Sequence, residues 1–268
     1  MKKSFWIRSV TVLMLAGALA LSMAGCKKEE AKKDLLTAVR EAGKLKIAME
    51  GAWAPWTYHN EADELVGYDV EVGKEIAKKL GVEAEFYEGD WDGLFAGLET
   101  GRYDVIINGV EWTAERSQKY DFSDPYLYIR TVVITKSDND TIHSFEDLSG
   151  KKTANSINST YMMIAEEKGA TVMGVDSLEE TINMVLAGRV DATLNAEVSF
   201  TDYMAVHPEA PLKVVATSED ASNVVIPFRK GEETKALREA VSKAIQELHA
   251  DGTLSGLSLK YFGRDLTK

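Results

Sequence analysis

The chain has 268 residues, 45% of them apolar, which is enough for two modest domains or one large domain with a substantial core. Its 31 Lys and Arg residues against 43 Asp and Glu residues give a formal net charge of −12. A chain this acidic, with no basic stripe, is a poor partner for nucleic acid or an anionic membrane surface, so we exclude both classes.

The N-terminal segment, residues 1–25, has the pattern of an export signal. Lys2, Lys3 and Arg8 form a basic start, and an apolar run over residues 10–21 follows it. That run is too short to span a bilayer comfortably. We therefore predict that this segment is a signal peptide, which is removed.

The only cysteine, Cys26, directly follows Met23-Ala24-Gly25. This arrangement resembles a bacterial lipobox, although Met stands where Leu is usual. The resemblance implies a lipid on Cys26 and attachment to the outer face of the membrane. The alternative is an ordinary signal peptide with an incidental thiol. The mixed-charge stretch that follows predicts a tether over residues 26–40.

Two short segments of the chain occur twice in the same order. GRYDVIIN (101–108) is similar to GRVDATLN (188–195), and GKLKIAME (43–50) to GKKTANSI (150–157). Each member of the first pair follows an apolar helical pattern, so Gly101 and Gly188 are predicted to end helices in the left-handed conformation. The pattern indicates two related halves, unless these short matches are coincidence.

Strand and helix patterns alternate through both halves, which predicts two α/β lobes with mostly parallel sheets. Residues 69–81 form one predicted helix that stops at Gly81, and Ser177 with Glu180 has capping-box spacing. Ligands bind beyond the carboxyl ends of such strands. We therefore expect the loops after Met49, Asn108, Ala154 and Asn195 to meet in a cleft between the lobes.

Arg116 follows the strand that ends at Asn108, and Thr113 is placed to cap the helical turn that starts at Ala114. The planar guanidinium can hold a carboxylate through two parallel hydrogen bonds. A small carboxylate-bearing ligand is therefore the expected guest. The alternative is a surface ion pair of Arg116 with Asp121 or Asp124.

Several segments in order resemble the family 3 extracellular solute-binding proteins, which serve polar amino acid ABC transporters. They are VGYDVEVGKEIAKKLG, WDGLFAGLETGRYDVIINGV, TAER, YDFSDPY and DGTLSGLSLKYFG. The resemblance covers residues 43–263. It implies a type II periplasmic-binding-protein-like α/β fold, with a ligand cleft between two lobes and a two-segment hinge. We place lobe 1 at 41–130 and 219–268, lobe 2 at 131–218, and the crossings near 128–131 and 217–223.

The same resemblance implies the site. Arg116 of the TAER motif would bind the ligand α-carboxylate, Thr160 would donate to it from the other lobe, and Trp53 and Trp91 would cover the ligand. The other implied lining residues are Asn108, Gly109 and Glu111 beside Arg116, and Ser156, Asn158 and Asn195 from lobe 2.

Two departures from the family pattern concern charge. Glu111 stands where the family has Ser or Thr, and Ala196 where it has an Asp that binds the ligand ammonium. We expect Glu111 to replace that Asp as the acceptor for an α-ammonium or a cationic side chain, since an unpaired charge in a dry cleft is costly. The alternative is that Glu111 is solvated at the cleft rim.

The resemblance implies a monomeric binding component of an importer, which closes on a polar amino acid and delivers it to the permease. It would need no cofactor or metal and would sit outside the cytoplasmic membrane or in the periplasm, lipid-anchored through Cys26. An enzyme of the same fold, dehydratase-like with Glu111 as general acid, is the main alternative, and a ligand sensor is a third. The amino acid stays open among cystine, other polar and cationic ones.

Overall fold

The computed structural model describes residues 34–268. The predicted signal peptide, the lipidation site Cys26 and most of the tether lie outside these residues. The elements of the first half are α1 (Leu35–Ala42), β1 (Lys44–Met49), β2 (Ala52–Trp53), β3 (Thr57–His59), β4 (Leu65–Val66), α2 (Tyr68–Leu80), β5 (Glu83–Glu88), α3 (Trp91–Glu99), β6 (Val105–Ile106), α4 (Arg116–Lys119), β7 (Tyr120–Phe122) and β8 (Leu127–Ile129).

The remaining elements include one 3-10 turn, Glu146–Leu148. They are β9 (Thr131–Lys136), β10 (Lys152–Ser156), α5 (Thr160–Glu167), β11 (Thr171–Val175), α6 (Leu178–Leu186), β12 (Thr193–Ala196), α7 (Glu197–Val206), β13 (Leu212–Thr217), β14 (Ser222–Val224), β15 (Pro227–Arg229), α8 (Glu232–Ala250) and α9 (Thr253–Phe262). Strands and helices alternate as predicted.

The first α/β lobe is built on a parallel sheet with strand order β5-β1-β6. Helix α2 contacts β1 and β5 and packs against α8 and α9, which return from the end of the chain. The predicted stop of α2 is confirmed, because Gly81 has φ 77° and its N–H caps the last turn. The carboxyl ends of β1 and β6 therefore lie side by side.

The second lobe has less parallel pairing than the sequence predicted. Strands β10 and β11 are parallel, and Thr153 makes a parallel bridge to Ala192. The larger sheet, β12-β9-β13, is antiparallel. Alternating apolar strands do not distinguish the two arrangements when both faces are covered, so the prediction of mostly parallel sheets is wrong for this lobe.

The two pairs of repeated segments are connected by similar hydrogen bonds. Asp104 and Asp191, the Asp of each Gly-Arg-x-Asp segment, accept a hydrogen bond from the main-chain N–H of Lys46 and Lys152 respectively, each at 2.8 Å. Each Asp therefore attaches its own segment to the start of the other repeated strand. The two contacts are similar, although Lys46 is the fourth residue of its repeat and Lys152 is the third.

Two antiparallel strand pairs join the lobes. Strand β8 pairs with β14 on one side, and β9 pairs with β13 on the other, so the chain crosses twice, between β8 and β9 and between β13 and β14. Two short connections between the lobes permit a hinge rotation. These crossings fall within the predicted hinge segments; the assignment of lobe boundaries stays a prediction.

The C-terminal part of the predicted tether is corrected by the structure. Residues 35–40 belong to α1, which is capped by Asp34, and Val39 is buried and packs in the main core. The charged residues of this stretch obscured the pattern of a short helix with one apolar face. Within residues 34–268, no helix has both the length and the apolar character to cross a membrane.

Candidate functional site

A cavity lies where the carboxyl ends of β1, β6, β10, β11 and β12 meet. Three of the four loops that the sequence predicted to converge contribute to it, those after Met49, Asn108 and Ala154, and at the fourth position Asn195 itself lines the cavity. The residues that line the cavity are Glu50, Ala52, Trp53, Trp91, Gly109, Glu111, Arg116, Ser156, Ser159, Thr160, Tyr161, Asp176, Ser177, Leu178 and Asn195.

Eight of the ten predicted ligand-binding residues line this cavity, and the side chains of Asn108 and Asn158 do not. Asn108 is fully buried behind the wall, where its amide oxygen accepts from the Glu50 N–H at 2.8 Å and its amide nitrogen donates to Glu50 Oε2 at 2.6 Å. Asn158 lies outside the cavity and donates to Asp92 Oδ1 at 3.0 Å. Its main-chain carbonyl, rather than its side chain, contacts Arg116.

Arg116 is buried, with 6% of its surface exposed. The main-chain N–H of Arg116 donates to Thr113 Oγ1 at 3.0 Å, so the predicted cap by Thr113 is present. The guanidinium lies 5.3 Å from the Trp91 ring centroid, and Nη1 donates to the Glu111 carbonyl and to Thr160 Oγ1, both at 2.9 Å. Burial lowers the Arg116 pKa, and the nearby Glu111 charge opposes that shift. The alternative of a surface ion pair with Asp121 or Asp124 is therefore wrong.

Glu111 is 2% exposed, so the alternative that it is solvated at the rim is also wrong. Its main chain forms an antiparallel bridge to Val224, which fixes it against the crossing strand β14. Burial raises the pKa of its carboxyl, while Ser222 and Arg116 favour the ionised form. Glu111 Oε2 has no hydrogen-bond partner among the described residues. Such a buried acceptor is costly unless a ligand or water satisfies it.

Trp53 and Trp91 supply the aromatic surface of the cavity. Trp53 stacks on the buried Trp56, with ring centroids 5.1 Å apart and planes 16° apart. Gly109 lies against it: a Cβ at Gly109 would be 2.6 Å from Trp53 Cζ3, and φ there is 56°. Trp91 packs edge-on against Phe95, and its Nε1 has no hydrogen-bond partner in residues 34–268.

The sequence analysis missed Glu50 and Tyr161 as lining residues. Glu50 directly follows β1, so its place at the end of a predicted strand was the available signal. Burial raises its pKa to about 7, with Asn108 opposing the shift and Asp90 adding to it. Tyr161 follows Thr160 on α5 and is buried, and its hydroxyl is without a partner in the described chain.

The cavity presents one guanidinium and three carboxyl groups, of which Glu111 is buried, Glu50 is half-buried and Asp176 is exposed. Arg116 contacts the Glu111 main-chain carbonyl, and no ion pair within 4.0 Å joins it to either Glu111 or Glu50 among the described residues. Separated opposite charges in a low-dielectric cavity suit a ligand that has both charges itself. Over residues 34–268, no group of His, Cys, Asp or Glu side chains is arranged to hold a metal ion.

Residues 45–264 match the model of the bacterial extracellular solute-binding proteins, family 3. The chain belongs to this family. Family 3 relatives include the L-cystine-binding protein TcyA of Bacillus subtilis, 38% identical over 97% of this chain and 98% of the relative. A probable amino-acid ABC transporter-binding protein of Haemophilus influenzae is 37% identical, covering 96% of this chain and 98% of the relative.

Solved structures support the same assignment. An ancestral arginine-binding protein bound to arginine is 36% identical and superposes with a TM-score of 0.76, covering 82% of this chain and 99% of that chain. The family 3 fold, a type II periplasmic binding protein of two α/β lobes, is thus confirmed for this chain. The family description also places such proteins outside the cell membrane.

Proposed function

We infer that this protein is the extracytoplasmic amino acid-binding component of an ABC importer. Arg116 binds the α-carboxylate of the ligand, Thr160 donates to the same group, and Glu111 accepts from the α-ammonium. The relatives named for L-cystine binding and amino acid transport support this function, as does the arginine-bound structural neighbour.

The observation that carries the proposal is the separation of two opposite charges that share one buried cavity. Three polar atoms that line it, Trp91 Nε1, Glu111 Oε2 and Tyr161 Oη, have no partner in the described chain. A zwitterion supplies a carboxylate for the guanidinium and an ammonium for Glu111. Desolvated charges are tolerated only when they are paired in this way.

Closure of the lobes couples binding to transport in this account. Arg116 and the tryptophans would receive the ligand on lobe 1, and Thr160 from lobe 2 would engage only in the shut form. Contacts across the cleft support a shut form: Trp56 Nε1 donates to Ser199 Oγ at 2.9 Å, and Arg264 pairs with Glu197 at 2.7 Å. The ligand stabilises the shut form, because only in that form do both lobes contact it. The permease would recognise the shut form.

The remaining parts of the proposal concern location and assembly. We place the protein outside the cytoplasmic membrane, held there by a lipid on Cys26 and acting as a monomer. The lipobox-like residues before Cys26 support the anchor. Metabolic labelling of cells with a radioactive fatty acid would label the wild type and leave Cys26→Ala unlabelled. Labelling of both or of neither would contradict the anchor.

A thermal-shift screen tests the ligand class directly. The twenty amino acids and L-cystine are each added to the protein without its signal peptide, and hits are measured by calorimetry. A ligand that binds the native state at about 100 times its dissociation constant adds about 2.7 kcal/mol to stability, which shifts the transition clearly. Failure of every amino acid to raise the transition would contradict the proposed function.

A cleft enzyme is the second candidate, because Glu111 is a buried carboxyl with a raised pKa and can act as a general acid. The relatives reported above are binding proteins. The two functions are separated by incubating each hit with the protein, denaturing the mixture and analysing the compound by mass spectrometry. Unchanged compound supports the carrier, and conversion that Glu111→Gln abolishes supports the enzyme.

A further inference from the structure

A tight turn at residues 156–159 connects β10 to α5. The Ser159 N–H donates to the Ser156 carbonyl at 3.1 Å, which closes the turn, and Ser159 Oγ accepts from the Met162 N–H at 3.1 Å and so caps α5. Asn158 is the third residue of the turn, with φ 58°, a left-handed conformation that Asn adopts more readily than most residues. The turn therefore holds the Asn158 main chain in one conformation.

Asn158 contacts the predicted first lobe through both its main chain and its side chain. Its carbonyl accepts from Arg116 Nη2 at 3.1 Å, and its side-chain amide donates to Asp92 Oδ1 at 3.0 Å. Asp92 is in the first turn of α3, next to Trp91, whose ring centroid is 5.3 Å from the Arg116 guanidinium. One residue of the turn thus reaches both the arginine of the proposed carboxylate site and the helix that packs on it.

The hydrogen bonds of Arg116 show what the turn contributes to the site. A guanidinium has five N–H groups. Nη1 donates to the Glu111 carbonyl and to Thr160 Oγ1, and Nη2 donates to the Asn158 carbonyl. Among the contacts of residues 34–268 this leaves one N–H on Nε and one on Nη2, which suffice for a two-bond contact with a carboxylate. Thr160 and Asn158 belong to the predicted second lobe, so closure completes the orientation of the guanidinium.

We propose that the turn at residues 156–159 is a latch for the shut form, with Asn158 as its positioning residue. This inference rests on the proposed function. The Asn158 amide ties the latch to Asp92, and the Asn158 carbonyl then holds Arg116 in the direction that the ligand carboxylate needs. Both contacts join the two lobes and are lost when the lobes separate. The latch therefore acts after the ligand has docked, and it slows the release of the ligand.

The expected size of the effect follows from the chemistry of the Asn158–Asp92 contact. A hydrogen bond to a carboxylate is stronger than one between neutral groups, but this contact is exposed and water competes for it. We expect its loss to increase the dissociation rate by about 3- to 10-fold. The association rate should change by less than about twofold, because the ligand docks before the latch forms.

Stopped-flow kinetics on the protein without its signal peptide tests the latch. The probe is whichever of the twenty amino acids and L-cystine gives the wild type its largest thermal shift. Asn158→Gly removes the amide and keeps the turn, because Gly adopts a positive φ freely. Asp92→Ala removes the acceptor, and the double variant completes a mutant cycle. Asp63→Gly is the matched control, since Asp63 is exposed, has φ 61° and does not line the cavity.

The outcomes separate the latch from the proposed function. Each single variant should release the probe about 3- to 10-fold faster, and the double variant no faster than the faster single one, since both changes break the same contact. Asp63→Gly should match the wild type. An unchanged dissociation rate in Asn158→Gly, increases that multiply in the double variant, or slower association as the sole effect would overturn the latch and leave amino acid binding intact. A wild type that binds none of these amino acids would overturn both proposals.

Discussion

Arg116 contacts the main chain of Glu111 and not its side-chain carboxylate. The guanidinium donates to the main-chain carbonyl of Glu111 at 2.9 Å, and Glu111 Oε2 stays without a hydrogen-bond partner in the described chain. Both side chains are buried in one cavity. Their arrangement leaves a carboxylate site on one side and an ammonium site on the other, which is the charge pattern of an amino acid.

Loss of the Glu111 charge should weaken amino acid binding severely. In Glu111→Gln the α-ammonium faces a neutral amide, and a buried charged hydrogen bond is worth about 1.5–3 kcal/mol, so we expect roughly a 10- to 150-fold loss of affinity. Calorimetry with the amino acid that gives the largest thermal shift measures it. Glu166→Gln, an exposed change on α5, is the control. Equal affinities of Glu111→Gln and the wild type would remove Glu111 from the site.

The ligand-free protein should lose stability as pH rises towards neutrality, partly through Asp69. This fully buried carboxyl accepts from Tyr126 Oη at 2.9 Å and from the Gly109 N–H, and burial raises its pKa to about 7. A raised carboxyl pKa means that the native state binds more protons than the unfolded chain between about pH 4 and 7, so stability falls with rising pH across that window.

Urea unfolding of ligand-free protein between pH 4 and 8 measures this dependence. Asp69→Asn should flatten the slope in part, since Glu50 and Glu111 have pKa shifts in the same direction. Asp220→Asn, an exposed change, should keep the wild-type slope. An unchanged slope in Asp69→Asn would show that Asp69 ionises as readily in the native state as in the unfolded chain.

Gly109 should tolerate no side chain. Gly109→Ala places a methyl group 2.6 Å from Trp53 Cζ3 at a residue with φ 56°, so we expect weaker ligand binding together with lower stability. Gly188→Ala is a matched control, because its φ is 65° and nothing lies within 4 Å of the new Cβ. That control should cost about 1 kcal/mol of stability through backbone strain and leave affinity unchanged. Equal affinities in the two variants would contradict a role of Gly109 in placing Trp53.

The contact between Trp56 and Ser199 should favour the shut form. Ser199→Ala removes the acceptor of a buried indole N–H, at a cost of about 1–3 kcal/mol in that form, so ligand affinity should fall by roughly 5- to 150-fold. Ser242→Ala is the control, since Ser242 accepts from the Asp124 N–H in an exposed contact and neither residue lines the cavity. A normal affinity in Ser199→Ala would show that this hydrogen bond does not accompany binding.

Motif and strand-end reasoning predicted much of the fold and the cavity wall. The repeated Gly-Arg-x-Asp segments located two related strands; the loop after the first lines the cavity, and the second lines it through its last residue, Asn195. Arg116 followed from the TAER motif, whose Thr113 cap is confirmed at 3.0 Å. These features depend on local chemistry, which a single sequence displays directly.

Other features depend on tertiary contacts that the sequence does not display. Asn108 was expected to face the ligand, yet it is buried behind Glu50, because a residue at a strand end can turn either way. Glu50 was not predicted, because a single acidic residue after a strand does not show whether its side chain is buried. The antiparallel β12-β9-β13 sheet was missed for a similar reason, since its apolar strands match either pairing.

The central claim is that the Arg116 guanidinium binds the α-carboxylate of an amino acid. Its most direct test is to measure, in the folded wild type and in folded Arg116→Gln, the affinity for the amino acid with the largest thermal shift and for its methyl ester. The wild type should bind the ester about 100-fold more weakly, a difference of about 2.7 kcal/mol, and Arg116→Gln should hardly distinguish the two compounds. The same ester penalty in both proteins would contradict the claim.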